Sequence, residues 1–358
     1  MASFLGRARK VMISMRNAQA ALATAATVDS LVRVSSEPGN IIPEVEDDSD
    51  LVGGTEEPTT QEVSVRNYNL PLDQSKVKPN TLVFVLGAAM GTVTSSTPAA
   101  SDVTRLHAIT QQAASDFDTF TVEELYATGA QRKFIGCIVD SFTLTGSRRN
   151  FFSLSSQVFG SGKYASGSAN VSEVAEVSLH TRDAVVFIGT AYAGATPDQD
   201  RTSADITGGS DKSANIEEIS WTYNNNTDLD FLPYFNTGVT WGRAERGTRS
   251  QELSMTMLFV DMTEANAALN QTAVTIQVKA ISDTYVAGVP PYNPATPLDT
   301  VYKYGASVIW PVLKYTSANI QGSAGDRVTV SVTANVLEDS TYGAARAWVW
   351  NGVNAYLA

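Results

Sequence analysis

Nine carboxylates and no Lys, Arg or His fall within residues 37–62, and such a run of acids is the first place to look for cation chemistry. A twelve-residue calcium loop begun at Asp48 places Asp50 third and Gly53 sixth, as that loop requires. Its fifth position is then Val52, where an oxygen ligand belongs, and its twelfth is Thr59, where a bidentate glutamate belongs. Without those two ligands the window reads as a solvated acidic loop.

Other candidate chemistry fails in the same way. "FGSGKY" resembles a phosphate-binding loop, but Gln157 and Tyr164 occupy the positions that need a glycine and a Ser or Thr. No serine sits between glycines at the spacing of a nucleophile elbow. His107 and His180 are far apart in sequence and neither stands at a recognisable spacing from Cys137, so a Cys–His nucleophile is not expected. Cys137 lies in the apolar "KFIGCIVDSF" and reads as a small buried hydrophobe; as the single cysteine it permits no internal disulfide and points to synthesis in a reducing compartment. Arg148, Arg149 and the "GRAERGTR" arginines Arg243, Arg246 and Arg249 form modest basic clusters, read as inter-subunit ion-pair partners. No catalytic residue, metal ligand or cofactor site is expected.

Composition sets the class. The 358 residues are 43% hydrophobic and 17% charged, with a formal charge of −12. A sizeable core is available, and wholesale disorder is excluded. A net acidic chain lacks the lysines and arginines from which nucleic-acid gripping draws its energy, although a wall past which DNA slides should be non-basic. Arg16, Asn17 and Gln19 interrupt any apolar core of a signal peptide, and no apolar run approaches a membrane span, so neither export nor membrane insertion is expected.

The elements that would position any surface are mainly strands. In "NIEEISWTYNN" Ile219, Trp221 and Tyr223 fall on one face and Glu218, Ser220 and Thr222 on the other. "QELSMTMLFVDM" opposes Leu253, Met255, Met257 and Phe259 to Glu252, Ser254 and Thr256; "RVTVSVTANV" opposes its valines, from Val328 to Val336, to Thr329, Ser331, Thr333 and Asn335. Period-two patterning of this kind belongs to sheets with one buried and one solvated face. Those solvated faces carry Ser, Thr, Glu and Asn with almost no Lys or Arg, as a channel lining would. "DAVVFIGT" and "AVTIQVKAI" are further strands, and "TEANAALN" is a short helix that Thr263 is placed to cap. "KPNTLVFVLGAAMG" suits a buried helix entered through Pro79 or a strand equally. Long polar connections span 193–214, 225–250 and 286–300.

The order of "EDDSDLVGGTEEPT", "LGAAMGTV", His107 leading to "DTFTVEEL", and "FIGCIVDSFTLTG" resembles the tail tube (major tail) proteins of long-tailed bacteriophages. "NIEEISWTYNNNTDLDF" followed by "WGRAERGTRSQELSMTMLFVD" is similar to the second half of that family's core. The resemblance covers roughly residues 11–340. It implies a β-sandwich or barrel-like domain over 67–358 with a flanking short helix, preceded by an N-terminal arm over 1–66 that carries the acidic loop and packs on the same or an adjacent subunit. It implies hexameric rings of the chain, stacked into a hollow tube that delivers genomic DNA as a passing cargo. The loop 225–250 would then reach the next ring, and the tape-measure protein and tail terminator and initiator proteins would be partners in a virion assembled in the host cytoplasm. Glu218, Ser220, Thr222, Glu252, Ser254 and Thr256 are the lining expected on this reading, although alternation alone does not say which face meets the bore.

A ligand-binding sandwich of the carbohydrate-binding or adhesin kind is the alternative from another class, with Trp221, Trp241, Trp310, Trp348 and Trp350 as its stacking platform. A capsid or head-completion protein is the nearest structural competitor.

Overall fold

The computed structural model describes residues 9–357 except 18, 20–23, 37–38, 48–60, 100, 102, 113–116, 128–129, 228–244, 288–298 and 323–326. Pro79 and Gly91 decide the conformation of the apolar run between them. Proline's fixed φ and missing N–H suit a first helical turn, and Gly91 takes φ 108°, a left-handed cap whose N–H returns to the Gly87 carbonyl. Helix α1 (Pro79–Met90) results, with every residue buried. A helix that is apolar all round needs walls on all sides, and strands supply them.

Those strands are, in order, β1 (Lys10–Ile13), β2 (Ser30–Val32), β3 (Asn40–Asp47), β4 (Gln61–Gln74), β5 (Gly91–Ser96) and β6 (Arg105–Gln111). Next come β7 (Phe120–Ala127), β8 (Ala130–Ser147), β9 (Ser153–Ser166), β10 (Ala184–Gly189), β11 (Ala191–Tyr192), β12 (Ile206–Thr207) and β13 (Ser210–Asp211). After β14 (Ile216–Asn224) and β15 (Ser250–Leu258) the chain forms helix α2 (Thr263–Leu269), then β16 (Ala273–Tyr285), β17 (Lys303–Gln321), β18 (Thr329–Leu337) and β19 (Arg346–Asn351). The chain is mainly β, as its alternation predicts. Thr263 does not cap α2: it is the helix's first residue, and the Asp261 carboxylate accepts its N–H at 2.8 Å.

Two antiparallel layers share one long strand. The first runs β4-β9-β8-β14-β15-β18-β17. The second runs β5-β6-β19-β17-β16-β10. Residues 305–309 of β17 pair with β19 in the second layer, and residues 312–321 pair with β18 in the first. Pro311 sits between the two stretches, where the missing ladder donor is tolerated. Its carbonyl accepts the Thr275 hydroxyl at 2.6 Å.

The core fills the space between the layers around α1. Trp221 of the first layer meets Trp310 edge-on at 5.3 Å between ring centres, and Phe142 stacks on Tyr223 at 5.2 Å. Such pairs contribute about 1 kcal/mol each beyond the area they bury. Near the N-terminus, β1 lies between β2 and β7 with Val11, Met12 and Ile13 buried. β4 passes residue 66 without a break, pairing with β9 up to Tyr68 and with β3 over the remainder. Gly162, at φ 78°, lets the β4 backbone pass; a Cβ there would stand 2.0 Å from the Arg66 carbonyl oxygen.

Candidate functional site

The six residues expected to form a lining lie side by side. Ser220 is opposite Ser254 and Thr222 opposite Glu252, while Glu218 pairs with Thr256. All point away from a core that holds Ile219, Trp221, Tyr223, Leu253, Met255 and Met257. Pairing extends each row across the layer. Ser153, Thr145, Ser220, Ser254, Thr333 and Ser317 are successive cross-strand partners, so one row crosses six strands on hydroxyls alone. The next row reads Asp73, Ser155, Thr143, Thr222, Glu252, Asn335 and Lys314.

Hydroxyls facing one another across strands satisfy each other. Thr145 Oγ1 lies 3.0 Å from Ser220 Oγ, Thr143 Oγ1 lies 3.2 Å from Thr222 Oγ1, and Thr256 Oγ1 lies 3.4 Å from Ser331 Oγ. The charges on these rows and on the adjacent row of Ser147, Glu218, Thr256 and Ser331 are Asp73, Glu218 and Glu252 against Lys314, so the face is polar and mildly acidic. Its β8 and β9 members, Thr143, Thr145, Ser153 and Ser155, were not among the expected lining. The alternation of "SFTLTG", with Phe142 facing the core, was the signal that pointed to the first two.

Over part of their length both edges of this layer lack a further paired strand among the described residues. Beyond Tyr315, β17 pairs with β18 on one side and with no strand on the other. Ile320, 46% exposed, lies on that stretch. At the opposite edge, residues 70–74 of β4 pair with β9 on one side. On the other side the Ser35 N–H and hydroxyl meet the Asp73 carbonyl, and the Ser36 hydroxyl accepts the Asp73 N–H and donates to the Pro71 carbonyl.

Most of the remaining chemically capable groups are enclosed. His107 is buried in β6, with Nδ1 2.8 Å from Ser95 Oγ and Nε2 3.0 Å from Asn351 Oδ1; burial pulls its pKa down to about 4. Burial pushes the Cys137 thiol far up, away from the reactive thiolate. His180 accepts the Arg182 N–H through Nδ1 at 2.9 Å. The Glu176 carboxylate accepts the Asn80 N–H at 2.7 Å at the start of α1, and burial raises its pKa to about 7. No histidine–cysteine or paired-carboxylate arrangement with an approach for substrate emerges from these contacts. Among the described residues, no group of three or more His, Cys, Asp or Glu is arranged to hold a metal. No helix among them is long and apolar enough to cross a membrane.

Lys279 was not singled out by sequence, and it anchors the loop 193–214. Its side chain is wholly buried, with Nζ 2.6 Å from Asp205 Oδ2, 2.8 Å from Asp198 Oδ1 and 3.0 Å from the carbonyls of Asp200 and Ser203. Tyr192 and Ile206 from the same region join Trp348 and Trp350 in a second apolar cluster. Four of the five tryptophans are therefore core residues: Trp221, Trp310, Trp348 and Trp350 are exposed by 3% or less. They offer no sugar-stacking platform. Arg246 is likewise buried in its own subunit, 4.4 Å above the Phe117 ring. Trp241, Arg243, the calcium-loop positions 48–59, and most of the loops 225–250 and 286–300 lie outside the described residues.

No curated protein matches the chain in sequence. Among solved structures, one described as "Structure of a type six secretion system protein" is similar over 45% of this chain and 88% of its own, at 13% identity and a TM-score of 0.25, too weak a likeness to argue from. The sequence model of the phage tail tube proteins matches residues 19–336, nearly the whole chain. The chain belongs to the phage tail tube protein family and is a structural protein of the phage tail.

Proposed function

We propose that the chain forms hexameric rings that stack into the hollow tube through which the phage genome enters the host, with the first layer turned to the bore. The observation that carries this reading is the sheet face that crosses six strands on hydroxyls and bears three carboxylates against one lysine. Phosphates passing such a wall meet few cations to bind and a weak repulsion that keeps them from sticking. Glu218, Ser220, Thr222, Glu252, Ser254 and Thr256 are its central lining.

The open edges supply the assembly logic. An unpaired strand is a template for another; pairing the β17 edge of one copy with the β4 edge of the next, once the Ser35 and Ser36 contacts give way, continues the sheet, and closing the ring leaves no edge of this layer exposed. Head-to-tail stacking of rings is heterologous and does not close, so it yields a filament. Residues 1–66 act as the arm of the β-domain formed by 67–358, and the loop 225–250 reaches the next ring. The tube carries DNA without specific binding, needs no cofactor and catalyses no reaction. It meets the tape-measure, terminator and initiator proteins during assembly in the host cytoplasm.

Electron microscopy of the purified chain, with salt and concentration varied, tests the reading. Rings or tubes with an open bore are expected. A chain that stays monomeric under every condition, tail-initiation components included, contradicts it.

A further inference from the structure

Charge is distributed unevenly along the long strands of the first layer. At one end, β8 and β9 meet in a turn carrying Arg148 and Arg149, the latter at φ 66°. Arg182 lies beside this turn, where Thr181 donates its hydroxyl to the carbonyls of Ser147 and Asn150. Lys76 sits 4.8 Å over the Phe151 ring of the same turn. The three arginines, with Glu217 among them, rim a groove of about 260 Å³ whose floor is Phe152, Ile219 and Val278.

These cations are weakly committed within the subunit. Arg148 reaches Glu217 at 3.9 Å and is about half exposed, Arg182 pairs with its neighbour Asp183 and is 74% exposed, and Arg149 forms no ion pair among the described residues. A basic rim over an apolar floor suits an acidic polypeptide that also carries apolar side chains.

The opposite end of the layer holds that polypeptide. β3 and β4 leave β9 at Tyr68 as a two-stranded ribbon paired out to Asp47 and Gln61. The ribbon and the segment it connects hold Glu44, Glu46, Asp47, Asp48, Asp50, Glu56, Glu57 and Glu62 against the single cation Arg66, with Val45, Leu51 and Val63 interspersed. A subunit cannot bring its own ribbon to its own groove. β4 reaches the groove end at Gln74 and the ribbon end at Gln61, separated by about 43 Å of strand at roughly 3.3 Å per residue. The groove and the ribbon lie at opposite ends of the layer, which is the arrangement of a head-to-tail contact between copies.

We propose that the groove rimmed by Arg148, Arg149 and Arg182 receives the acidic ribbon segment of a second copy of this chain in the adjacent ring. The inference rests on the tube reading and adds to it a stacking contact whose polarity is electrostatic. Partner carboxylates neutralise the arginine rim, and the apolar residues among them cover the floor.

Reciprocal charge reversal in the full-length chain tests it. The two variants are Arg148→Glu with Arg149→Glu, and Glu46→Lys with Asp47→Lys. Each alone should retain the wild-type circular dichroism spectrum and form rings, with tube elongation reduced about ten-fold or more by light scattering. An equimolar mixture should elongate again, because each reversed groove then meets a reversed ribbon. Raising salt should slow wild-type elongation and raise the residual elongation of each single variant, because it screens attraction in the first and repulsion in the second.

Single variants that elongate like wild type overturn the proposal while leaving the tube reading intact. So does a folded pair whose mixture is not rescued, an outcome that assigns the groove to some other anion. A wild-type chain that forms neither rings nor tubes removes the tube reading, and the stacking contact with it.

Discussion

The hydroxyls of Thr145 and Ser220 lie 3.0 Å apart on neighbouring strands, and Ser220 in turn stands opposite Ser254. Hydroxyls so paired need less from solvent and carry no charge, so the surface they make is polar yet has little hold on phosphate. That property, more than any single residue, is what a DNA conduit requires. Its testable consequences concern the face itself, the groups that hold the layers and loops in place, and the behaviour of the fold with pH.

Glu218 and Glu252 are exposed on this face. Glu218→Lys combined with Glu252→Lys should leave tube assembly intact and stability within about 0.5 kcal/mol, as for other exposed substitutions. Repeated around every ring, the new cations should slow genome passage by on the order of ten-fold or more, an electrostatic effect that salt weakens. Time-resolved DNA release from reconstituted virions reads this out. Unchanged release would mean that the opposite surface faces the bore.

Lys279→Met should free the loop 193–214. The substitution leaves the enclosed Asp205 carboxylate without its cation, and breaking a buried pair costs about 3 kcal/mol. Chemical denaturation should show that loss, and limited proteolysis should cut first between 193 and 214. Cleavage at wild-type rates would show that the loop is held by Tyr192 and Ile206 rather than by the lysine.

Asn225 is buried between layers, its amide donating to the carbonyls of Ala89 at 3.1 Å and Asp140 at 3.0 Å. Asn225→Ala should destabilise the chain by about 2 kcal/mol, since enclosed carbonyls lose their donor. Equilibrium unfolding measures it; a change under 0.5 kcal/mol would mean water replaces the amide.

Two buried groups give opposite pH trends. His107 titrates near 4 in the fold against an ordinary 6.5, so its contribution is complete above 6.5 and is lost as pH falls towards 4. Glu176 titrates near 7 against 4.5, so its contribution is complete below 4.5 and is lost as pH rises towards 7. Between 4.5 and 6.5 the two oppose each other. Glu176→Gln removes one of them, and stability should then fall on acidification more steeply than in wild type, by up to about 1.4 kcal/mol per pH unit. Thermal unfolding across this window, with equal slopes in both proteins, would refute the assignment.

Much of the first layer was legible because β14, β15 and β18 each bury one face, and burial writes itself into sequence as alternation. The row they form was not, since register depends on which strands pair; nothing local to Ser220 says that Thr145 and Ser254 flank it. The apolar run from Pro79 was ambiguous because α1 is enclosed on every side and has no polar face to reveal its period. Lys279 sits in a strand whose residues from Thr275 to Ser282 are all buried, and a lysine there is intelligible only with Asp198 and Asp205, distant in sequence, folded over it. Val328, counted with the apolar face, is 43% exposed because it precedes β18 rather than lying in it.

The central claim is that the hydroxyl rows face the bore. A cryo-electron microscopy reconstruction of the assembled tube at side-chain resolution tests it most directly. Six copies per ring are expected, with β17 of each joined to β4 of its neighbour and Ser220 and Ser254 on the inner wall. A ring in which these serines lie outside, or in which the inner wall is crowded with Lys and Arg, contradicts it.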